Sequence, residues 1–410
     1  MQIRRKQKID KYIGYLLIGI FLPFTRLLGI LLRRNHSIDI APRRIVFIKL
    51  LGLGSLIVAS DAIIALRVRY PGARLILLTD ANIADGIAPF ELFDEIHPIN
   101  TDKLTSTFSG VTRFLLQCWR WRRLWVIDLE VYSKLTTVFA LLTLARNRFG
   151  FYLSAVPFRK FLNTHNIVFD QGVFLEDNYS HIAREVTGTD LRPAAPAGRQ
   201  AELDKPYIIL NNTCSGLANV RKLPDHTFSG VCQWILEHTT YDLALLGMAD
   251  DKESIDQFIG RNPALRGRRD RIVNFAGKAE DFAAYYRFLR EKGVCLVTID
   301  SGPLHIARKL GLPTVSVWGP TDPDNYLKVG PQETGRHLSY YLKTPCSPCV
   351  HHYETLPCGG HNFCMKNIPA TAIIGKIQEL LRHLAASDPA ASDPAVSDPA
   401  AASPTAPRPV

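Results

Sequence analysis

The apolar run Val294–Ile299 ends in Asp300, Ser301 and Gly302; a helix-like segment follows, then a second apolar run ending in Gly319. Strand, polar turn, helix, strand and turn in that order form a βαβ unit, which needs a parallel sheet with helices on its faces. Small residues at the strand end leave backbone N–H groups free to meet a phosphate at the helix start. The stretch therefore predicts an α/β enzyme that holds a phosphorylated small molecule.

The same grammar recurs along the chain. Arg43–Leu50 predicts a strand, Gly52 and Gly54 a turn, and Ser55–Tyr70 a helix closed by Pro71-Gly72. Arg74–Thr79 and Leu124–Leu129 predict further strands, and Ser133–Leu144 a helix. Near-continuous apolar strands suit a parallel sheet covered on both faces. These segments define a first α/β domain over 40–190. Residues 191–205, rich in Pro, Ala and charge, predict a linker. A second α/β domain over 206–385 starts with the strand Pro206–Leu210 and closes with a helix at Ile368–Leu384. Two such domains predict a ligand cleft between them. The Ala-Ser-Asp-Pro repeats of 386–410 cannot build a core and predict a disordered tail.

The chain has 410 residues and a formal net charge of +11. The excess is concentrated around an apolar segment in residues 1–39, where Arg4, Arg5, Lys6, Lys8 and Lys11 precede Tyr12–Leu32 and Arg33 and Arg34 follow it. That arrangement points to an anionic membrane surface. No zinc finger, recognition helix or aromatic RNA-binding motif accompanies the charge, so no nucleic-acid partner is expected. Three readings stay open for the segment: a shallowly inserted helix broken by Pro23 into two arms, a single spanning helix, or a helix packed on the enzyme.

Of the 8 cysteines, four stand singly and four cluster as Cys346, Cys349, Cys358 and Cys364. The single ones read as buried free thiols in a reducing, cytoplasmic setting. The cluster in the loop 346–364 fits reduced packed thiols, disulfides, or a structural zinc or iron–sulfur centre. A catalytic metal is not expected.

The stretches Ile45–Gly54, Arg67–Ala73, Asn274–Lys278, Asp300-Ser-Gly-Pro-Leu-His305, Gly311–Thr314 and Trp318-Gly-Pro-Thr-Asp322, in that order and spacing, resemble glycosyltransferase family nine, the lipopolysaccharide heptosyltransferases. The resemblance covers about residues 43–380. It implies a GT-B fold of two Rossmann-like domains. It also implies inverting, metal-independent transfer of a sugar from a nucleoside-diphosphate donor, such as ADP-heptose, to a lipid-linked saccharide. Such an enzyme would work in bacterial envelope synthesis on the cytoplasmic face of the inner membrane. The first domain would hold the acceptor and the second the donor.

On that resemblance the donor residues are Ser301, Gly302 and His305, whose turn would face the diphosphate, and Asp300, which would accept from sugar hydroxyls. Capping of the next helix by Asp300 and Ser301 is the plain alternative. Asn211 opens a second phosphate-facing loop that ends in Arg221 and Lys222, either of which could neutralise the leaving diphosphate. Lys278, Gly319 and Thr321 are further candidates for the donor wall. On the acceptor side stand Lys49, Gly52, Gly54, Ser55 and His165. Heptosyltransferases carry an aspartate, the presumed base, where this chain has Ser55, and a serine hydroxyl is a poor base near neutral pH. The replacement candidates are the strand-end carboxylates Glu130 and Asp128, with Asp61 a poorer reach. Lys49 would bind an acceptor phosphate or hold Glu130. Ser55 also leaves open a catalytically silent, membrane-bound nucleotide-sugar-binding protein.

Overall fold

A computed structural model describes residues 3–32, 35–153, 157–189, 206–214, 216–350, 353 and 355–387. The expected linker 191–205 and residues 388–410 of the expected tail lie outside the described residues.

Two sheets carry the fold. The first holds β1 (Arg44–Lys49), β2 (Arg74–Asp80), β3 (Glu95–Ile99), β4 (Leu124–Asp128), β5 (Asn147–Tyr152) and β6 (His165–Val168) in the order β3-β2-β1-β4-β5-β6. The second holds β7 (Tyr207–Asn211), β8 (Asp242–Leu245), β9 (Ile272–Asn274), β10 (Gly293–Ile299), β11 (Thr314–Trp318) and β12 (His337–Tyr341) in the order β12-β11-β10-β7-β8-β9. Every strand pair is parallel. Counted within its own sheet, each order is that of the dinucleotide-binding fold, and each reverses direction between its first and fourth strands. The reversal points are β1/β4 and β7/β10. A crevice opens at such a point on the C-terminal edge of the strands, so the topology alone selects where ligands go.

Fourteen helices pack on these sheets among the described residues. The first domain carries α1 (Ile3–Leu32), α2 (Leu53–Val58), α3 (Ser60–Arg69), α4 (Ala81–Ile87), α5 (Leu104–Cys118), α6 (Lys134–Leu142) and α7 (Leu175–Thr187). The second carries α8 (Asp225–His238), α9 (Lys252–Arg261), α10 (Pro263–Arg266), α11 (Phe282–Lys292), α12 (Gly302–Lys309), α13 (Phe363–Lys366) and α14 (Ala370–Ser387). The helix expected over 55–70 is two, separated at Ala59, and the first starts earlier than expected, at Leu53 after Gly52 in the left-handed region. The C-terminal helix reaches Ser387, into the segment expected to be tail.

Of the three readings of the N-terminal segment, the described residues match a helix packed on the enzyme. Pro23 does not divide α1 into arms. Pro23 and Gly19, whose carbonyl loses its intrahelical partner, are both exposed, and water can satisfy that group. No described helix is long and apolar enough to cross a membrane. Instead α1 lies along α6. Asp10 Oδ1 accepts from Ser133 Oγ at 2.7 Å and from the N–H groups of Lys134 and Leu135 at 3.0 Å, so one helix caps the next. Ile18 is buried with Val138, Leu141 and Leu162.

The two domains touch through backbone and apolar groups at the centre. A Cβ on Gly54 would stand 2.9 Å from His305 Cδ2 and 3.3 Å from Gly302 Cα, so α2 reaches α12 only because residue 54 has no side chain. Phe90 and Tyr286 pack with ring centroids 5.1 Å apart. At the rim, Lys309 pairs with Asp61 at 2.7 Å, and Lys328 with Asp177.

Candidate active site

Each reversal point holds a polar cluster. At β1/β4, Glu130 is clasped by the end of β1. Its Oε2 accepts from Lys49 Nζ at 3.0 Å, and its Oε1 from the N–H groups of Leu50 and Leu51 at 2.8 Å. Burial alone would lower the Lys49 ammonium, but Glu130, Tyr179 and Asp128 together outweigh it and the net shift is upward. Lys49 thus holds Glu130, one of its two expected roles. The turn is braced from below. Asp128 is fully buried; its Oδ2 accepts from Arg159 Nη2 at 2.6 Å and Thr136 Oγ1 at 3.0 Å, and its Oδ1 from Glu130 N–H at 3.0 Å. Burial pushes the Asp128 carboxyl up to about 6, while Arg159 opposes that shift. With no exposed surface, Asp128 braces the turn rather than meeting a ligand. Gly52 turns the chain at φ 83°, and its carbonyl accepts from Ser55 Oγ at 2.8 Å. The buried Tyr179 hydroxyl also bonds Ser55, and burial raises the phenol.

At β7/β10, Asn211 Nδ2 reaches Ser301 Oγ at 3.1 Å and Thr298 Oγ1 at 3.2 Å. This turns the Ser301 side chain away from the helix, and it makes no cap on α12. The capping alternative therefore fails for Ser301. Asp300 Oδ2 accepts from Thr321 Oγ1 at 2.7 Å and pairs with Arg221 Nη1 at 3.2 Å, joining the ends of β10 and β11 to the loop after β7. Lys222 is half-buried next to Arg221. His305, on α12, is buried facing Gly54 of α2, and its Nδ1 has no partner among the described residues. Burial lowers its imidazole to about 4, against the pull of Asp300, so the ring is neutral at pH 7.

Three candidates stand apart. His165 starts β6, at the N-terminal edge of the sheet, stacked on Phe149 with centroids 4.4 Å apart. Strand polarity puts it on the edge opposite Glu130. Lys278 is exposed beyond the edge strand β9, three strands from β10. At Gly319 a Cβ would stand 2.7 Å from Met365 Sδ and 3.0 Å from Cys364 Sγ, so its smallness admits α13. Sequence reasoning missed Arg159 and Tyr179. Arg159 lies in Phe-Arg-Lys-Phe, a run indistinguishable from a surface turn, and only its burial shows its role.

Cys346, Cys349, Cys358 and Cys364 line one small cavity with Pro320 and Phe363. All eight cysteines are free thiols, which removes the disulfide alternative. Among the described residues no His, Cys, Asp or Glu group stands in metal-binding geometry.

The family model for glycosyltransferase family 9 (heptosyltransferase) matches residues 168–358, which include the whole second reversal point. A lipooligosaccharide heptosyltransferase 2 from Campylobacter jejuni is 31% identical over 84 residues, 20% of this chain and 25% of that protein. The matched stretch thus spans a quarter of that relative's length. A glycosyl transferase family 9 structure from Veillonella parvula superposes with a TM-score of 0.64 at 18% identity, covering 85% of this chain and 100% of that one. The ADP-heptose LPS heptosyltransferase II of E. coli superposes at 0.60 and 16% identity, covering 83% and 99%. These likenesses show the fold: two facing parallel sheets, the GT-B arrangement. Over residues 168–358, a little under half of its length, the chain is similar to glycosyltransferase family 9 (heptosyltransferase), and its fold is the one those solved structures share.

Proposed function

We propose that the chain transfers a sugar, with inversion and without a catalytic metal, from a nucleoside-diphosphate donor to a lipid-linked saccharide of the bacterial envelope. The observation that carries this is the pair of polar clusters at the two reversal points, brought together by the contact of Gly54 with Gly302 and His305. The acceptor hydroxyl attacks the anomeric carbon in line as the bond to the diphosphate oxygen breaks. Its proton passes to Glu130, a carboxylate already oriented by two backbone N–H groups and Lys49. The diphosphate departs toward Arg221, Lys222 and the uncapped start of α12, which supply the positive field. Asp300 Oδ2 is committed to Thr321 and Arg221, which leaves Oδ1 to accept from hydroxyls of the sugar. Support for ADP-heptose as the donor comes from the E. coli enzyme of like fold, named for that substrate.

The chain would act on the cytoplasmic face of the inner membrane, where nucleotide sugars and lipid-linked acceptors meet.

The test is donor binding followed by turnover. Calorimetry with ADP, UDP and GDP, and with ADP-heptose, should show selective binding that Arg221→Ala abolishes. Transfer to a lipid-linked acceptor should then fall at least about a hundredfold in Glu130→Gln. Absence of nucleotide binding would sink the donor site. Binding without turnover on lipid-linked acceptors would leave a silent sugar-binding protein.

A further inference from the structure

At 1.5 Å per residue, α1 is about 45 Å long. One row of it, Gly14, Leu17, Ile18, Phe21 and Leu22, meets α6 and the turn before β6. The opposite row repeats at three- and four-residue spacing and is apolar throughout: Tyr12, Leu16, Ile20, Phe24, Leu27 and Leu31, each between 48% and 70% exposed. Scattered exposed apolar residues are ordinary, but six large ones in one continuous row are not. The row is flanked by positive charge. Residues 3–11 include Arg4, Arg5, Lys6, Lys8 and Lys11, and their one acid, Asp10, is turned inward to cap α6. Lys8 and Lys11 are exposed.

We infer that α1 is a docking surface for an anionic phospholipid bilayer, lying in the plane of the interface with one side bolted to the first domain and the other in the acyl boundary. An apolar stripe with a cationic flank is what such an interface selects, and the helix is not apolar enough to cross it. A second copy of the chain fits less well. Arg26, Arg33 and Arg34 make the far end of the segment cationic too, so parallel and antiparallel pairing both set like charges together.

The direction of α1 gives the docking a consequence. Asp10 meets Ser133 while Ile18 meets Val138 and Leu141, so α1 and α6 run parallel. α6 begins just beyond β4, on the edge that carries Glu130. The N-terminal end of α1 therefore sits on the cleft side of the first domain. Its chain also approaches the turn Gly216–Arg221 of the donor domain. A lipid-linked acceptor, the substrate class of the proposed function, would reach the cleft without leaving the membrane surface.

The test is flotation of the full chain with phosphatidylcholine vesicles, with and without phosphatidylglycerol. A Leu16→Glu/Phe24→Glu/Leu27→Glu variant is compared, since all three positions face away from α6. Strong flotation with phosphatidylglycerol is expected, weakened by salt and at least about tenfold lower in the variant. Circular dichroism and the thermal midpoint should match the parent. ADP binding is read alongside in both proteins, so failure of the donor reading is seen separately from failure of docking. Absent flotation, equal flotation of the variant, or a dimer by light scattering that the variant dissolves would each overturn the inference.

Discussion

Removing Arg159 tests whether the turn that presents Glu130 depends on a buried ion pair. Arg159 is 0% exposed and its Nη2 stands 2.6 Å from Asp128 Oδ2. It also donates to the carbonyls of Glu130, Phe151 and Ser133. Arg159→Met keeps most of the volume but leaves a sealed carboxylate unpaired and three carbonyls without that donor. Breaking such a pair costs about 3–5 kcal/mol. The double variant Arg159→Met/Asp128→Asn has no stranded charge and should recover roughly half of that loss, the remainder being the carbonyls. The pH dependence gives an independent check. Asp128 is raised from 3.8 to about 6 in the fold, so between those values the native state binds more protons than the unfolded one. Stability therefore falls as pH rises through that window, and the penalty is complete above it. Without Arg159 the folded carboxyl rises further, the window extends upward, and the single variant should regain stability as pH is lowered through neutral. Urea denaturation at pH 5.5, 7 and 8 reads all three effects. A loss below about 1 kcal/mol, or a double variant no better than the single one, would refute the reasoning. Turnover should also drop in the single variant although nothing that touches substrate has changed.

Gly54→Ala should put a methyl against His305 and the Gly302 backbone and hold the domains apart; small-angle scattering should show a larger radius, and kcat/KM should fall about tenfold or more, with the thermal midpoint nearly kept. His305 is lowered from 6.5 to about 4, so the unfolded state binds the extra proton between those values, and stability should be lost as pH falls through that range, by about 3 kcal/mol at most. His305→Gln should flatten that limb of a melting-temperature profile. Backbone N–H groups lower the half-exposed Cys358, whereas burial pushes the Cys232 and Cys295 thiols up, so alkylation followed by peptide mapping should find Cys358 modified well before either.

The parallel α/β plan was legible because its strands are apolar runs ending in small polar turns, and β1, β4, β10 and β11 lie where those runs lie. The juxtaposition of Asp300, Ser301 and Thr321 was legible for the same reason, since they follow the ends of adjacent strands. What stayed hidden is long-range. The bond from Asn211 to Ser301 spans 90 positions, and the pair from Lys49 to Glu130 spans 81. A run of residues shows which side chains end a strand but not which strand ends meet. His165 was misplaced on those grounds: local chemistry suited an acceptor site, and sheet polarity sent it to the other edge. Pro23 misled in the opposite sense, because a proline's cost depends on whether its stranded carbonyl can reach water, which is set by the face of α1 it occupies.

The seam between the domains joins a dry centre to a wet rim. At its centre, around Gly54, the meeting surfaces are backbone and a neutral imidazole, which can part without breaking an ion pair. The cross-domain charges, Asp61 with Lys309 and Asp177 with Lys328, sit at the partly exposed margin, where each is worth tenths of a kcal/mol to about 1 kcal/mol and is screened by salt. Ionic strength then works as a clutch. Screening the rim should loosen the seam by about the worth of those two pairs and leave its dry centre untouched.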